Sequence, residues 1–219
     1  MNIALASIGN EAAALIIAVP DNDNHHSQVR LSANQLKQLS EKLNAKSTVV
    51  ISFEGSAVAV PASLLSGAPS GAELEILIAQ AESSISKFNS NASGVTMIGS
   101  PIAFEANWIV GTAKKPLEAP SSTFIKRSFT VPGKIGANQA GVLYEANGKI
   151  SPVASLVKEQ ADGSTLVTVS RPGFSVYAAV GRSVEFKDIA NSWAASDITA
   201  LANKFIIQGT SADLEQAAQ

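Results

Sequence analysis

Cysteine is absent from the 219 residues, which removes structural disulfides and thiolate metal sites from consideration. Histidine occurs twice, as the neighbours His25 and His26. A zinc site would need carboxylates from elsewhere in the chain. A serine triad would have to draw its base from this one loop, and no G-x-S-x-G elbow accompanies it. Charged residues make up 16% of the chain and the net charge is −2, whereas ordinary globular chains carry about 25% charge. Without a concentrated basic footprint, nucleic acid is not an expected partner. No apolar run approaches the roughly 18 residues of a membrane helix, so no membrane span is expected. Met1–Pro20 lacks a basic n-region and contains Glu11, a poor match to a signal peptide. An exported protein would then carry its signal upstream, and this chain would be a fragment or a mis-started frame. Aromatic residues are 5% of the total. Trp108, Tyr144 and Tyr177 are the few candidates for an exposed aromatic platform, and most of them alternate like core positions.

What fills the composition is Ala, Ser, Val and Ile, and 46% of residues are hydrophobic, enough to bury a real core. Ala13–Val19 is a short apolar run closed by Pro20, most simply a buried strand. Ser32 and Gln35 form an S-x-x-Q capping box that opens a helix over Ser32–Asn44. Its Leu36, Leu39 and Leu43 share one face at spacings of three and four. Thr48–Phe53 and Ala57–Val60 flank Glu54-Gly55 as a hairpin, and Pro61–Ser66 suits one helical turn. Leu74, Ile76 and Ile78 alternate with Glu73 and Glu75, which predicts a half-buried strand with both carboxylates toward solvent. Two strands are expected between Val95 and Thr112, divided around Gly99–Pro101, and another over Phe124–Val131. Gly141–Glu145 and Lys149–Val157 surround Asn147-Gly148, a pair that supplies the positive φ of a type I′ turn. Asp162-Gly163 repeats the device between Lys158 and Ser170, and Phe174–Val180 is the last strand. Short strands with turn signals about every 8 to 15 residues predict a mainly β, antiparallel sandwich-like domain with one or two short helices. The domain is expected over residues 1–182, with a subdivision near 90–100.

From Asp188 the β alternation stops. Trp193, Ile198, Leu201, Ala202 and Phe205 recur at near-helical spacing, with Gly209 as the stop. The stretch from Phe186, Asp188 and Ile189 through Trp193, Ala194, Ile198, Leu201 and Ala202 resembles the opening of an S-layer-homology repeat. That family's pattern is approximately F-x-D-[IV]-x-x-x-W-A-x-x-x-I-x-x-L-A, continued here by Ile206, Ile207 and Gly209. Phe205 stands where many family members have Gly. The sequence stops before the family's second helix, opened by a T-R-A-E-like motif, so residues 183–219 are expected to form an incomplete, small helical repeat. The resemblance implies a bacterial cell-surface location, outside the cell at its wall. It also implies a secondary cell-wall polymer or peptidoglycan-linked glycan as partner, with Asp188 and Trp193 as the ligand-binding candidates. Read from the residues alone, Trp193 is a core aromatic of a small helical unit, and Asp188 is a helix cap or an acceptor for a sugar hydroxyl. A looser likeness to modules that precede such repeats rests on Val58, Val60, Pro61, Ala62 and Ser63. A second run, Tyr144, Asn147, Gly148, Lys149, Ile150, Pro152 and Val153, carries the rest of it.

Other constellations carry chemistry-bearing side chains. Asp21, Asp23 and His25 begin like a calcium loop, but His26 stands at the sixth position and Ser32 at the twelfth, so the helix-hand site fails twice. Glu73 with Glu75, and Glu105 with Glu118, are the carboxylate pairs that glycoside hydrolysis would draw on, and no spacing requires a cleft between them. Pro132–Gly136 lacks the pattern of a phosphate loop. Lys114, Lys115, Lys126, Arg127 and Lys134 form a basic stretch read as the charged face of an edge strand, or as a contact for an anionic wall polymer. The expectation is a non-catalytic structural or spacer segment of a surface protein, with no cofactor and no metal, that self-associates or stands alone. A carbohydrate- or protein-binding module displayed at the surface is the alternative.

Overall fold

The structure is a computed structural model that describes residues 13–20, 25–91, 95–136 and 138–207. The first half contains β1 (Ala14–Ala18), β2 (His26–Leu31), α1 (Ala33–Lys42), β3 (Thr48–Phe53), β4 (Ser56–Pro61), α2 (Ala62–Leu65) and β5 (Glu73–Gln80). A 3₁₀ turn (Glu82–Ser84) leads to α3 (Ile85–Asn91), β6 (Val95–Val110), β7 (Ala113–Pro116) and β8 (Ile125–Val131). Then come β9 (Ala140–Ala146), β10 (Lys149–Val153), β11 (Ser155–Glu159), β12 (Thr165–Arg171), β13 (Ser175–Arg182) and α4 (Ala195–Asn203). The chain is mainly β and sandwich-like, as expected. One sheet has the order β1-β3-β4-β8-β12-β11, the other β10-β9-β13-β6-β5-β2 with β7 against β6. β1 runs parallel to β3, while β3–β4, β2–β5, β9–β10 and β11–β12 are antiparallel. Among the described residues no helix is long and apolar enough to cross a membrane.

The chain forms two compact units: Met1–Gln80 with Ala103–Ser128 and Ser170–Ser175, and Ala81–Ile102 with Phe129–Val169 and Val176–Gln219. In the first, strand alternation decides the core. Val49, Ile51 and Phe53 on β3, Val58 and Val60 on β4, and Leu74, Ile76 and Ile78 on β5 are all buried. Glu54 and Gly55 take φ of 46° and 72°, the two left-handed residues of a tight hairpin. The α1 capping box is present: the Gln35 N–H donates to Ser32 Oγ at 3.3 Å, and the Ser32 N–H donates to Gln35 Oε1 at 2.8 Å. Leu36, Leu39 and Leu43 are buried, so the local start signal and the apolar stripe agree.

Two expectations fail in this unit, both through polar partners distant in the chain. Glu75 does lie opposite the Leu74, Ile76 and Ile78 face, but it is buried rather than solvated. Gln28 donates to its carboxylate, and the Arg30 guanidinium and Lys114 ammonium pair with it at 2.8 and 2.5 Å. Arg127, read as an exposed edge charge, is one of the largest fully buried side chains. Its guanidinium donates to the carbonyls of Gly173 (2.6 Å) and Arg171 (3.5 Å) and lies over the Phe174 ring. These carbonyls replace the water that a buried cation loses.

In the second unit the clearest local signal holds. Asn147 and Gly148 adopt φ of 53° and 76° and join β9 to β10, with Ala146 facing Lys149. Gly163 is left-handed too, and Asp162 Oδ1 accepts from the Ser164 N–H and hydroxyl. The expected strand Lys149–Val157 is instead two strands, β10 and β11, which belong to different sheets with only Ala154 between them. The pair of strands expected from Val95 is one strand of sixteen residues. Gly99 sits inside it at φ 71°, where a Cβ would meet Pro132 Cδ at 3.0 Å, and the strand runs through it without ending. No sequence signal above marks the turn and helix over Glu82–Asn91. Phe88 of α3 is nevertheless fully buried, packed with Leu143, Ala178 and Val180.

Candidate functional site

The segment that follows β13 carries the ligand-binding candidates. Val184 and Phe186 are buried against Ala202, with Ile189, Ile198 and Ile207 packed around them. Ile198 and Ala202 are four apart on α4, so one face of the helix closes this small core. The helix starts at Ala195, with Ala194 as its cap residue and no side chain capping it. Asp188 therefore does not cap α4; it is exposed in the turn before the helix. Asp197 supplies the acidic residue of the first turn, favourable beside the positive end of the helix dipole.

The far end of α4 is closed by two backbone bonds. The Phe205 N–H donates to Ala202 O and the Ile206 N–H to Leu201 O, both at 2.9 Å. This is the 5→2 and 6→1 pair of a Schellman motif, which needs a left-handed residue after the helix. Phe205 occupies that position at φ 60°, so the position is left-handed even without glycine. Packing compensates for the strain: the ring joins the Phe88 and Leu143 core and lies under the Arg182 guanidinium, 4.9 Å from its centroid. Gly141 makes room, since a Cβ there would come within 2.8 Å of the ring. Arg182 also donates to Ala202 O at 3.2 Å, satisfying a carbonyl at the helix end.

Trp193 is 94% exposed, so the core-aromatic expectation does not hold. Leu201 (39%) and Ile206 (56%) are exposed on the same segment. A neighbouring groove is lined by residues outside the candidates drawn from the sequence. Asn138 and Gln139, before β9, face Ala195, Ser196, Thr199, Ala200 and Asn203 of α4 across a depression of about 380 Å³. Asn203 fixes this wall: its Nδ2 donates to Asn138 O at 3.3 Å, and its Oδ1 accepts from the Val184 N–H at 3.1 Å. Among the described residues no charged side chain lines the groove. Amides and hydroxyls beside alanine methyls offer donors, acceptors and small apolar contacts together, the mixture a sugar ring requires. Ser196, Thr199 and Asn203 fall three and four apart, a polar helical stripe visible in the sequence. Their partners Asn138 and Gln139 are not, because more than fifty residues separate them from α4.

The remaining candidates do not converge. Asp21 and Asp23 lie outside the described residues. His25 Nδ1 lies 3.1 Å from Glu54 Oε2. Glu73 is partly exposed beside Arg30, at 3.9 Å, while Glu105 and Glu118 are exposed. The Glu75 carboxyl is held at about 2 by hydrogen bonds from Lys114 and then Arg30, against the opposing effect of burial. A carboxyl that stays ionised to that pH is suited to pairing and unsuited to donating a proton. Trp108 and Tyr177 are buried, and Tyr144 is half-buried with its ring 6.2 Å from that of Tyr177, so none of the three is an exposed platform. Among the described residues no group of three His, Asp or Glu is placed to hold a metal ion. A second depression, about 440 Å³ between α1, α2 and the loop to Ala72, has Lys37 as its one charged lining residue. No protein-family model matches the chain, and no match is found among curated proteins or solved structures.

Proposed function

We propose that this chain is a non-catalytic structural segment of a bacterial cell-surface protein, located outside the cell at the wall. Its C-terminal segment, similar to the start of an S-layer-homology repeat, contacts a wall glycan. The observation that carries the reading is the exposure of Trp193: an indole 94% open to solvent is a free platform for the apolar face of a sugar ring. Asp188, exposed five residues earlier, accepts from sugar hydroxyls. Two further features support it. The motif residues Phe186, Ile189, Ile198 and Ala202 pack into one small core, and Phe205 takes the left-handed backbone of a position that is often Gly in the family. The second reading, a carbohydrate-binding module, is favoured by the uncharged groove of Gln139, Ser196 and Thr199.

The test is co-sedimentation of the full chain with purified Gram-positive sacculi, beside Trp193→Ala, Asp188→Ala and Gln139→Ala. The anchoring reading expects the parent to pellet and Trp193→Ala to lose at least tenfold in apparent affinity. Loss in Gln139→Ala with Trp193→Ala unaffected moves binding to the groove and selects the module. A parent that stays in the supernatant overturns both.

A further inference from the structure

Among the described residues the main paths of the two sheets end in four strands, β1 and β11 in one and β10 and β2 in the other, with the short β7 beside β6 off the path. Three carry the usual guards against edge-to-edge pairing. β2 has His26 and Arg30, β10 has Lys149 and Pro152, and β11 has Lys158 and Glu159. β1, Ala-Leu-Ile-Ile-Ala, has neither charge nor proline. Ala14, Ile16 and Ala18 form its exposed face, with Ile16 66% exposed.

The hydrogen bonding of β1 shows which backbone groups face away from β3. Thr48 N–H donates to Ala13 O, and Val19 N–H donates to Ser52 O. In a parallel ladder the residues that bond a given neighbour alternate. Residues 13, 15, 17 and 19 therefore turn toward β3, and Ala14, Ile16 and Ala18 turn their N–H and C=O groups to the outer edge. Among the described residues no strand lies on that side.

We propose that β1 pairs, antiparallel and two-fold, with β1 of a second copy of this chain, centred on Ile16. A two-fold pairing sets each residue against its mirror position, so Ile16 faces Ile16, Ala14 faces Ala18 and Leu15 faces Ile17. The sequence is self-complementary about this centre. The three outward residues of each copy fall on the hydrogen-bonded pairs of the antiparallel ladder, which uses every outward N–H and C=O of both strands. Charge supports the same occupant: a two-fold contact brings any charge near the axis against its own copy, and β1 brings none. The area sets the strength. Five-residue edges bury less than the about 1,000 Å² of a free-standing stable interface, so the pairing is weak in dilute solution and grows where copies are crowded.

Sedimentation velocity over a wide concentration range tests the pairing, with the parent beside Ile16→Lys. The expected result is a concentration-dependent dimer that Ile16→Lys weakens at least tenfold, with unchanged circular dichroism. Because the chain has no cysteine, Ile16→Cys reports register directly. Facing Cα atoms about 5.5 Å apart lie within disulfide range, so mild oxidation should cross-link it several-fold faster than Leu156→Cys on β11, where Leu156 is 75% exposed. A parent monomeric throughout, with cross-linking no faster at residue 16 than at 156, overturns the proposal. So does a dimer that Ile16→Lys leaves unchanged.

Discussion

Trp108 and Trp193 are the two tryptophans of the chain, and they stand at opposite ends of the exposure scale, 8% and 94%. Trp108 lies in β6, in a stretch where Ala106, Asn107 and Trp108 are all buried, so both faces of the strand are covered there; Lys115 of β7 is its cross-strand partner. Trp193 lies in a turn, two residues before a nine-residue helix whose packed face is already occupied by Ile198 and Ala202. A strand covered on both faces buries a large residue whichever way its side chain points. Trp193 precedes the helix, and the turn that carries it leaves the indole in water. Residue type therefore says less than element type about which tryptophan supports the fold and which is free for contact.

Substitutions can break that comparison or sharpen it. Trp108→Ala should have the largest effect, a loss of about 3–5 kcal/mol, read as a lower urea midpoint at unchanged slope. An effect below about 1 kcal/mol would remove Trp108 from the core and the contrast with it. Gly141→Ala should cost about 1–3 kcal/mol through overpacking, because the new Cβ meets the Phe205 ring and the Asn203 carbonyl at 2.8 and 3.1 Å. In a double-mutant cycle with Phe205→Ala the costs should couple by more than about 0.5 kcal/mol; simple additivity would detach Phe205 from the core beneath it.

Glu75→Gln should cost on the order of 1 kcal/mol at pH 7 and change the acid limb of stability. The native carboxyl ionises at about 2, below the roughly 4.3 of an unfolded glutamate. Its contribution is thus complete above about 4.3 and fades as pH falls toward 2. The parent should lose stability faster than the variant across that window, and parallel curves would show that the ion pairs contribute nothing. The smallest effect is expected for Trp193→Ala, within about 0.5 kcal/mol of the parent. A larger loss in thermal unfolding would mean that the indole is held by the fold after all.

Local chemistry was legible in the sequence. Ser32 with Gln35, Glu54-Gly55 and Asn147-Gly148 each specify a cap or turn from residues within four positions of one another, and each is present. What was not legible depends on distant partners. Glu75 is buried because Gln28, Arg30 and Lys114, between 39 and 47 residues away, cover it. Gly99 looks like a stop, yet β6 continues through it as one strand. Ala154 carries no mark of the change of sheet between β10 and β11. The exposure of Trp193 was not legible either: near-helical spacing groups it with Ile198, Leu201 and Ala202, whereas the helix starts at Ala195 and leaves Trp193 in the turn before it. The groove needs Asn138 and Gln139 beside α4, a juxtaposition the chain order does not suggest.

The burial of Arg127 has a consequence for how the chain is made. Its two terminal guanidinium nitrogens donate to carbonyls 44 and 46 residues further along. At a synthesis rate of about 5–20 residues per second, Arg127 leaves the ribosome roughly 2–9 s before those carbonyls arrive. Until then the charge has to stay hydrated, so the strand that carries it cannot close its side of the core. The first compact unit, which takes in Ser170–Ser175, therefore closes its core around Arg127 only after that late segment is made, although the local β3–β4 hairpin needs nothing beyond Pro61.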